Sequence, residues 1–271
     1  MEPLTPATVE AVLGRFGFSA PPATDRAGLD ALYLAWCRTV PFDNLVKRID
    51  IVDGTAPFRN DTPQPFFDLF LAHGTGGTCW PSSRALGALL HALGFDVHLG
   101  SAAMADDLAG RNHTHGTILA SVDDELLWVD TSMLTDAPVP LVPGAASHLD
   151  HPLRPVRVEP VDDLWRVHWV QSERPETMGC LLLADDVDGD HYSARYEASR
   201  GRSPFNTAVC ATTNRADHVV SLTGMRRVVL DADGRHVSEL LDDDTRRRVL
   251  IDEFGYSPEI VGALPPDDPE S

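Results

Sequence analysis

The segment Thr75-Gly76-Gly77-Thr78-Cys79-Trp80 carries two adjacent glycines into a cysteine and runs straight on into a helical pattern. Leu86, Leu89, Leu90 and Leu93 recur at the i, i+3, i+4, i+7 spacing of a buried helix face, and Gly94 is placed to end it. Cys79 therefore falls at or just before a helix N-terminus. Unpaired N–H groups and the positive end of the helix dipole favour the thiolate form of a cysteine there, and the thiolate is the form that attacks. A buried structural cysteine is the competing reading, because free Cys is among the most buried residue types. Partners elsewhere in the chain decide between the two.

Working outward, Val9, Val12, Leu13 and Phe16, then Leu29, Leu32, Tyr33 and Trp36, predict helices over Thr5 to Phe18 and Asp25 to Thr39. Val40-Pro41 ends the second, because a residue before proline is pushed out of the α region. Pro41-Phe42-Asp43-Asn44-Leu45 reads as a turn carrying an aromatic. The first third is thus mainly helical. From Phe95 the period becomes two: Phe95, Val97 and Leu99 alternate with polar residues, and His115 to Val122 and Leu126 to Asp130 flank Asp123-Asp124-Glu125 as a hairpin. Five prolines make Asp136 to Pro155 a long connection. Trp165 to Gln171 and Cys180 to Ala184 read as strands, the latter ending in an acidic turn, Asp185 to Asp190. That turn lacks the oxygen-ligand spacing and closing glutamate of a calcium loop. The last third mixes strands at Val219 to Leu222 and Arg227 to Leu230 with a helix from Asp242 to Phe254. The organisation is α+β, with a helical part at 1–92, a β-rich part at 93–190 and a mixed part at 191–271.

At 271 residues, with 43% hydrophobic and 23% charged residues, the chain is long enough to bury a sizeable core. No run approaches the roughly 18 apolar residues that span a bilayer. No secretory signal is visible at the start, so a cytoplasmic location is expected. Cys37, Cys79, Cys180 and Cys210 lack paired spacing, which points to reduced thiols rather than a disulfide framework or zinc ribbon. A formal charge of −19 argues against a nucleic-acid partner. Asp242-Asp243-Asp244 and the tail Pro265 to Ser271 read as solvated surface. Lys47 is the only lysine, and the remaining positive charge is arginine, which suits phosphate and carboxylate forks.

A nucleophilic cysteine needs an imidazole to handle its proton and a carboxylate or amide to orient that imidazole. The hairpin supplies both. If Asp123-Asp124 is a two-residue turn, Val122 pairs with Glu125, His115 lies opposite Ser132 and Asp130 opposite Thr117. His115 and Asp130 then share a sheet face as diagonal neighbours roughly 7–8 Å apart at the backbone. A one-residue slip would separate them. Separately, His113 and His115 form an H-x-H pair that a metal could use, but no third ligand is identifiable and no metal is expected.

Arg15-Phe16-Gly17, Val40-Pro41-Phe42-Asp43-Asn44-Leu45, Gly76-Gly77-Thr78-Cys79-Trp80, Thr114-His115 and Trp128-Val129-Asp130 together resemble the arylamine N-acetyltransferases. Ser203-Pro204-Phe205 and Phe254-Gly255-Tyr256 echo weaker C-terminal signatures of that family. The resemblance implies a helical domain, a β-barrel-like domain and an α/β lid around a papain-like Cys79-His115-Asp130 core. It implies a ping-pong reaction in which Cys79 takes an acyl group from a thioester, normally acetyl-coenzyme A, and passes it to an amine. Trp80, Phe42, Met133 and Phe205 are the expected substrate-binding residues. Arg200, Arg202 and Ser203, with Arg195, Arg226 and Arg227 nearby in sequence, are expected to meet the phosphates. No tightly bound cofactor is expected, and the partners would be a small amine and an acyl-coenzyme A or acyl carrier protein.

The departures lie beside the matches. The family's arginine before the paired glycines is Thr75 here, and its glutamate and asparagine after the Cys-aromatic pair give way to Pro81, Ser82 and Ser83. Pro81 suits a first helical turn but removes an N–H from the end that would hold an oxyanion. After the aspartate, the family's Val-Gly-Phe-Gly becomes Thr131-Ser132-Met133-Leu134. A retained triad in altered surroundings suggests amide-forming acyl transfer with a different donor or acceptor. A cysteine hydrolase of acyl thioesters or amides, and a catalytically silent binding homologue, are the alternatives.

Overall fold

The computed structural model describes residues 1–104, 112–171 and 174–268. Its first helix, α1 (Pro6–Arg15), starts where the Thr5 side chain accepts from the Thr8 amide. The second, α2 (Arg26–Thr39), starts at Asp25, which accepts from the Gly28 amide, and stops at an extended Val40. Pro41 to Leu45 is more than a turn: Phe42–Asp43 forms the short strand β1, and α3 (Leu45–Asp53) follows at once. A further helix, α4 (Pro63–His73), precedes α5 (Cys79–Ala92).

The helices α3 and α4 left little periodic signal. α3 buries Lys47, Arg48 and Asp50 alongside Leu45, Val46 and Ile49, so polarity does not alternate along it. α4 begins with prolines, which break a helix interior but fit its first turn. Trp36 on α2 and Phe66, Phe67 and Phe70 on α4 pack with Leu86, Leu89 and Leu90 of α5 into one core, with Trp36 stacked on Phe66 at 6.0 Å.

An eight-stranded antiparallel sheet follows, built from β2 (Asp96–Met104), β3 (His115–Val122), β4 (Glu125–Val129), β5 (Val139–Pro140), β6 (Ser147–Leu149), β7 (Val156–Val161), β8 (Leu164–Gln171) and β9 (Arg174–Val187). Its order is β5-β4-β3-β2-β9-β8-β7-β6, and the Ser147 hydroxyl donates to the Pro140 carbonyl across the two edges, so the sheet nearly closes into a barrel. The β3–β4 register is the expected one: Val122 pairs with Glu125 and Ile118 with Val129. Asp123 and Asp124 carry φ of 51° and 64°, the left-handed pair that a two-residue hairpin turn requires. The connection after Asp136 is less irregular than its prolines imply, since it contains β5 and β6. Asp185 to Asp190 is not a free turn. β9 runs on to Val187, and the Asp188 side chain caps α6 (Gly189–Ala198) by accepting from the His191 amide.

The C-terminal part comprises β10 (Cys210–Asn214), β11 (His218–Thr223), β12 (Arg226–Asp231) and β13 (His236–Leu240), then α7 (Asp243–Asp252) and α8 (Pro258–Gly262). Its five-stranded sheet takes β1 as an edge, with Phe42 paired to Thr212, so the last third of the chain is hydrogen-bonded to the strand that follows α2. Among the described residues no helix is long and apolar enough to cross a membrane.

Asp242, Asp243 and Asp244 are exposed as expected, but Asp267 is not free surface. Its carboxylate meets the buried Arg48 guanidinium at 2.7 Å and Arg246 at 2.9 Å, and accepts from the Val209 amide. Residues 269–271 of the tail lie outside the described residues. Removing the carboxylate leaves Arg48 buried without its counter-ion, which costs about 3 kcal/mol. Asp267→Ala is therefore expected to lower Tm by roughly 6–12 °C in differential scanning calorimetry.

Candidate active site

The loop that leads into Cys79 is held by a buried carboxylate from β1. Asp43, fully buried on β1, accepts from the Gly76 amide at 2.7 Å and the Tyr256 hydroxyl at 3.0 Å through Oδ2, and from the Leu45 amide at 3.1 Å through Oδ1. Burial pushes its carboxyl up to about 6, against these three donors. The buried Thr75 hydroxyl has no partner among the described residues. The glycines serve close approach rather than unusual torsions. A Cβ on Gly76 would stand 1.8 Å from the Pro41 carbonyl oxygen, and one on Gly77 would stand 2.9 Å from the Pro81 ring.

Cys79 opens α5 behind the N-cap Thr78 and is 8% exposed. First-turn amides have no acceptor within a helix, so Cys79 and Trp80 present N–H groups while Pro81 has none. Ser83 takes over a tethering role one turn along, donating to the Gly116 carbonyl at 3.0 Å and contacting the Thr131 hydroxyl at 3.0 Å. That fastens the helix to β3 and to the residue after Asp130. The Ser82 hydroxyl is buried without a partner among the described residues.

The hairpin register delivers its pair. His115 Nε2 lies 2.6 Å from Asp130 Oδ2, with both residues buried. The other carboxylate oxygen, Oδ1, accepts from the Ser132 amide at 2.9 Å, the Ser132 hydroxyl at 2.7 Å and the Met133 amide at 3.3 Å. The Tyr33 hydroxyl donates to the Asp130 carbonyl at 2.6 Å, pinning the backbone from α2. With Nε2 used by Asp130, Nδ1 is the other ring nitrogen, and Cys79 is among the groups that raise the imidazole. Burial opposes the imidazolium, but the charge and hydrogen bond of Asp130, with those of Cys79, outweigh it and raise His115 to about 10. Asp130 is held below the usual carboxylate range: burial works against this, and His115 and Ser132 overcome it.

The remaining expected residues do not form one wall. Trp80 packs edge-on against Tyr192 at 4.9 Å and over Gly116, where a Cβ would come within 2.7 Å of the indole. Phe42 meets Phe205 at 5.4 Å, while Met133 is buried in the barrel core with Trp128 and Trp169. Leu134 replaces the second family glycine yet keeps a left-handed φ of 50°, its carbonyl held by Asn214 at 2.6 Å and the preceding carbonyl by Arg154 at 2.6 Å. Arg200 grips Glu197 and the Thr55 carbonyl and stacks on Phe58 at 3.9 Å, so its guanidinium is already engaged. Arg202 is exposed, and the Ser203 hydroxyl accepts from the Phe205 amide at 3.2 Å. Arg227 pairs with Glu239 and Glu253.

His113 and His115 part company: His113 precedes β3, bonds Ser101 Oγ at 2.7 Å and packs on His191 at 5.1 Å. Among the described residues no group of three or more His, Cys, Asp or Glu is arranged to hold a metal ion. Sequence reading passed over Tyr192 and Tyr196 of α6 and Phe58, which share the apolar cluster of Cys79. The Asp188 cap and the four-residue tyrosine spacing were the signals available for α6.

The N-acetyltransferase family model matches residues 26–259, and the chain belongs to the arylamine N-acetyltransferase family. Solved structures of that family share the fold at low identity. The Mycobacterium tuberculosis arylamine N-acetyltransferase superposes with a TM-score of 0.79 at 22% identity, covering 94% of this chain and 97% of that one. The Mycobacterium smegmatis protein gives 0.80 at 19%, with coverage of 94% and 97%. The Mycobacterium marinum protein, solved in complex with CoA, gives 0.80 at 20%, with coverage of 94% and 96%. A search of curated proteins found no match.

Replacing Asp130 with asparagine removes the charge that holds the His115 proton and keeps the shape. In Asp130→Asn the His115 ring is expected to titrate well below the wild-type value of about 10, read by side-chain ¹⁵N NMR. The sign for folding follows from the raised value. The pair's contribution is fully present below the ordinary imidazole pKa of about 6.5 and is lost as pH rises through the folded value, so the stability gap between wild type and variant narrows at high pH.

Proposed function

We propose that this chain transfers an acyl group from a coenzyme A thioester to an amine through a Cys79 acyl-enzyme. The observation that carries the reading is the buried His115–Asp130 bond of 2.6 Å, with Cys79 buried at the start of α5 and among the groups that raise the same imidazole. Asp130 orients the ring through Nε2, and His115 in its charged form stands beside a sulfur that attacks as thiolate.

The Cys79 thiolate adds to the thioester carbonyl, and the Cys79 and Trp80 amides meet the oxyanion. The carbon–sulfur bond to the coenzyme breaks, and its thiolate leaves with the His115 proton. In the second half the amine attacks the acyl-enzyme, neutral His115 takes the amine proton, and Cys79 is released. Arg202 and Ser203, at the surface after α6, are the better placed of the expected residues to meet coenzyme phosphates, since Arg200 is committed to Glu197 and Phe58. The altered flanks, Pro81 to Ser83 and Thr131 to Leu134, favour a donor or acceptor other than acetyl-coenzyme A with an arylamine.

Intact-mass measurement after incubation with a panel of acyl-coenzyme A donors tests the mechanism. One acyl group is expected on wild type and none on Cys79→Ala. Adding amines is expected to discharge the adduct to amide faster than water does. A protein that takes no acyl group from any donor would overturn the reading, and discharge indifferent to amine would favour a hydrolase.

A further inference from the structure

We propose that Lys47 receives a carboxylate carried by the acyl group, so that short dicarboxylic acyl thioesters are the donors this site prefers. The inference rests on the acyl-transfer reading above and names its substrate class. The only lysine of a chain with 41 acidic residues is 2% exposed on the first turns of α3. Among the described residues no carboxylate lies within ion-pair distance of its ammonium, which instead stands 5.9 Å over the Tyr196 ring.

The neighbouring carboxylates are committed elsewhere. Asp43 is taken by Gly76, Leu45 and Tyr256, Asp50 by Arg59, and Asp61 by Arg84 and Ser193. A buried ammonium without a counter-ion is costly, and an arriving anion relieves that cost. Burial depresses the Lys47 pKa to about 8, and Cys79 is the group that opposes this.

Lys47 borders the apolar cluster that contains Cys79. Asp43, one turn before it, donates its amide to the Gly77 carbonyl at 3.1 Å, so the start of α3 is stitched to the nucleophile loop. Tyr196, under the ammonium, shares with Phe58 and Tyr192 the apolar cluster that contains Cys79. A neutral acyl group on Cys79 leaves Lys47 without a counter-ion, whereas an acyl group ending in a carboxylate supplies one. The chemistry at sulfur is unchanged: Cys79 gains the thioester bond, the coenzyme thiol leaves with the His115 proton, and the distal carboxylate is untouched.

Acylation rates by intact mass with succinyl-, malonyl- and acetyl-coenzyme A provide the test. Wild type is expected to favour the dicarboxylic donors, and the dicarboxylic-to-acetyl rate ratio is expected to fall about tenfold to a hundredfold in Lys47→Met, the weight of one charge-assisted hydrogen bond, while Lys47→Arg keeps most of it. Equal rates in wild type, or a ratio unmoved in Lys47→Met, would overturn the proposal. So would a Lys47-dependent preference for aminobenzoate over aniline with indifferent donors.

A second readout does not need the covalent step. ¹³C-lysine labelling gives a single lysine side-chain signal, because Lys47 is the only lysine. In Cys79→Ala that signal is expected to shift saturably with succinyl-coenzyme A and stay still with acetyl-coenzyme A. A shift without any acyl-enzyme in the wild type would keep the carboxylate site and sink the acyl-transfer reading. A signal indifferent to both ligands would sink the carboxylate site alone.

Discussion

Asp43 is the constraint on which the site depends. One buried carboxylate receives the Gly76 amide from the loop before Cys79, the Tyr256 hydroxyl from the C-terminal part and the Leu45 amide from the helix that carries Lys47. Its own strand is at the same time an edge of the C-terminal sheet. Three distant pieces of chain thus meet at a single group. The donors are neutral, so the carboxyl stays above its ordinary range instead of being drawn down by a cation. The Thr75 hydroxyl contributes nothing to it.

Other substitutions are compensated in the same local way. Ser83 ties α5 to Gly116 and Thr131, and Asn214 and Arg154 hold the carbonyls of a turn in which Leu134 adopts a conformation suited to glycine. A bulky residue at positive φ is strained by about 1–2 kcal/mol, and it persists because its surroundings over-determine it. These bonds frame the polar surroundings of Cys79, with the His115–Asp130 pair at their centre. Around the cluster of Cys79 stand a lysine with no carboxylate in ion-pair distance among the described residues, tyrosines from α6 and a proline in the helix's first turn.

Two acidic segments show how a surface reading from composition fails in particular places. Asp188 became a helix cap and Asp267 a clamp for two arginines, because each met a donor brought from elsewhere by the fold. The five arginines grouped by sequence did not stay together as free cations. Arg200 and Arg227 are bound by glutamates, which composition alone could not foretell.

The β3–β4 hairpin was legible from the sequence because a two-residue turn and a period of two leave one register, and that register brings Asp130 to His115. The helix after Cys79 was legible for the same kind of reason, a strong local period with a glycine stop. Only the tertiary structure decided that β1 belongs to the C-terminal sheet, that α3 buries charged residues, that Trp80, Phe42 and Met133 pack into different groups, and that the sole lysine lies against the nucleophile's cluster. These depend on contacts between segments far apart in the chain, and burial of a charged side chain is set by its partners rather than by its own hydropathy.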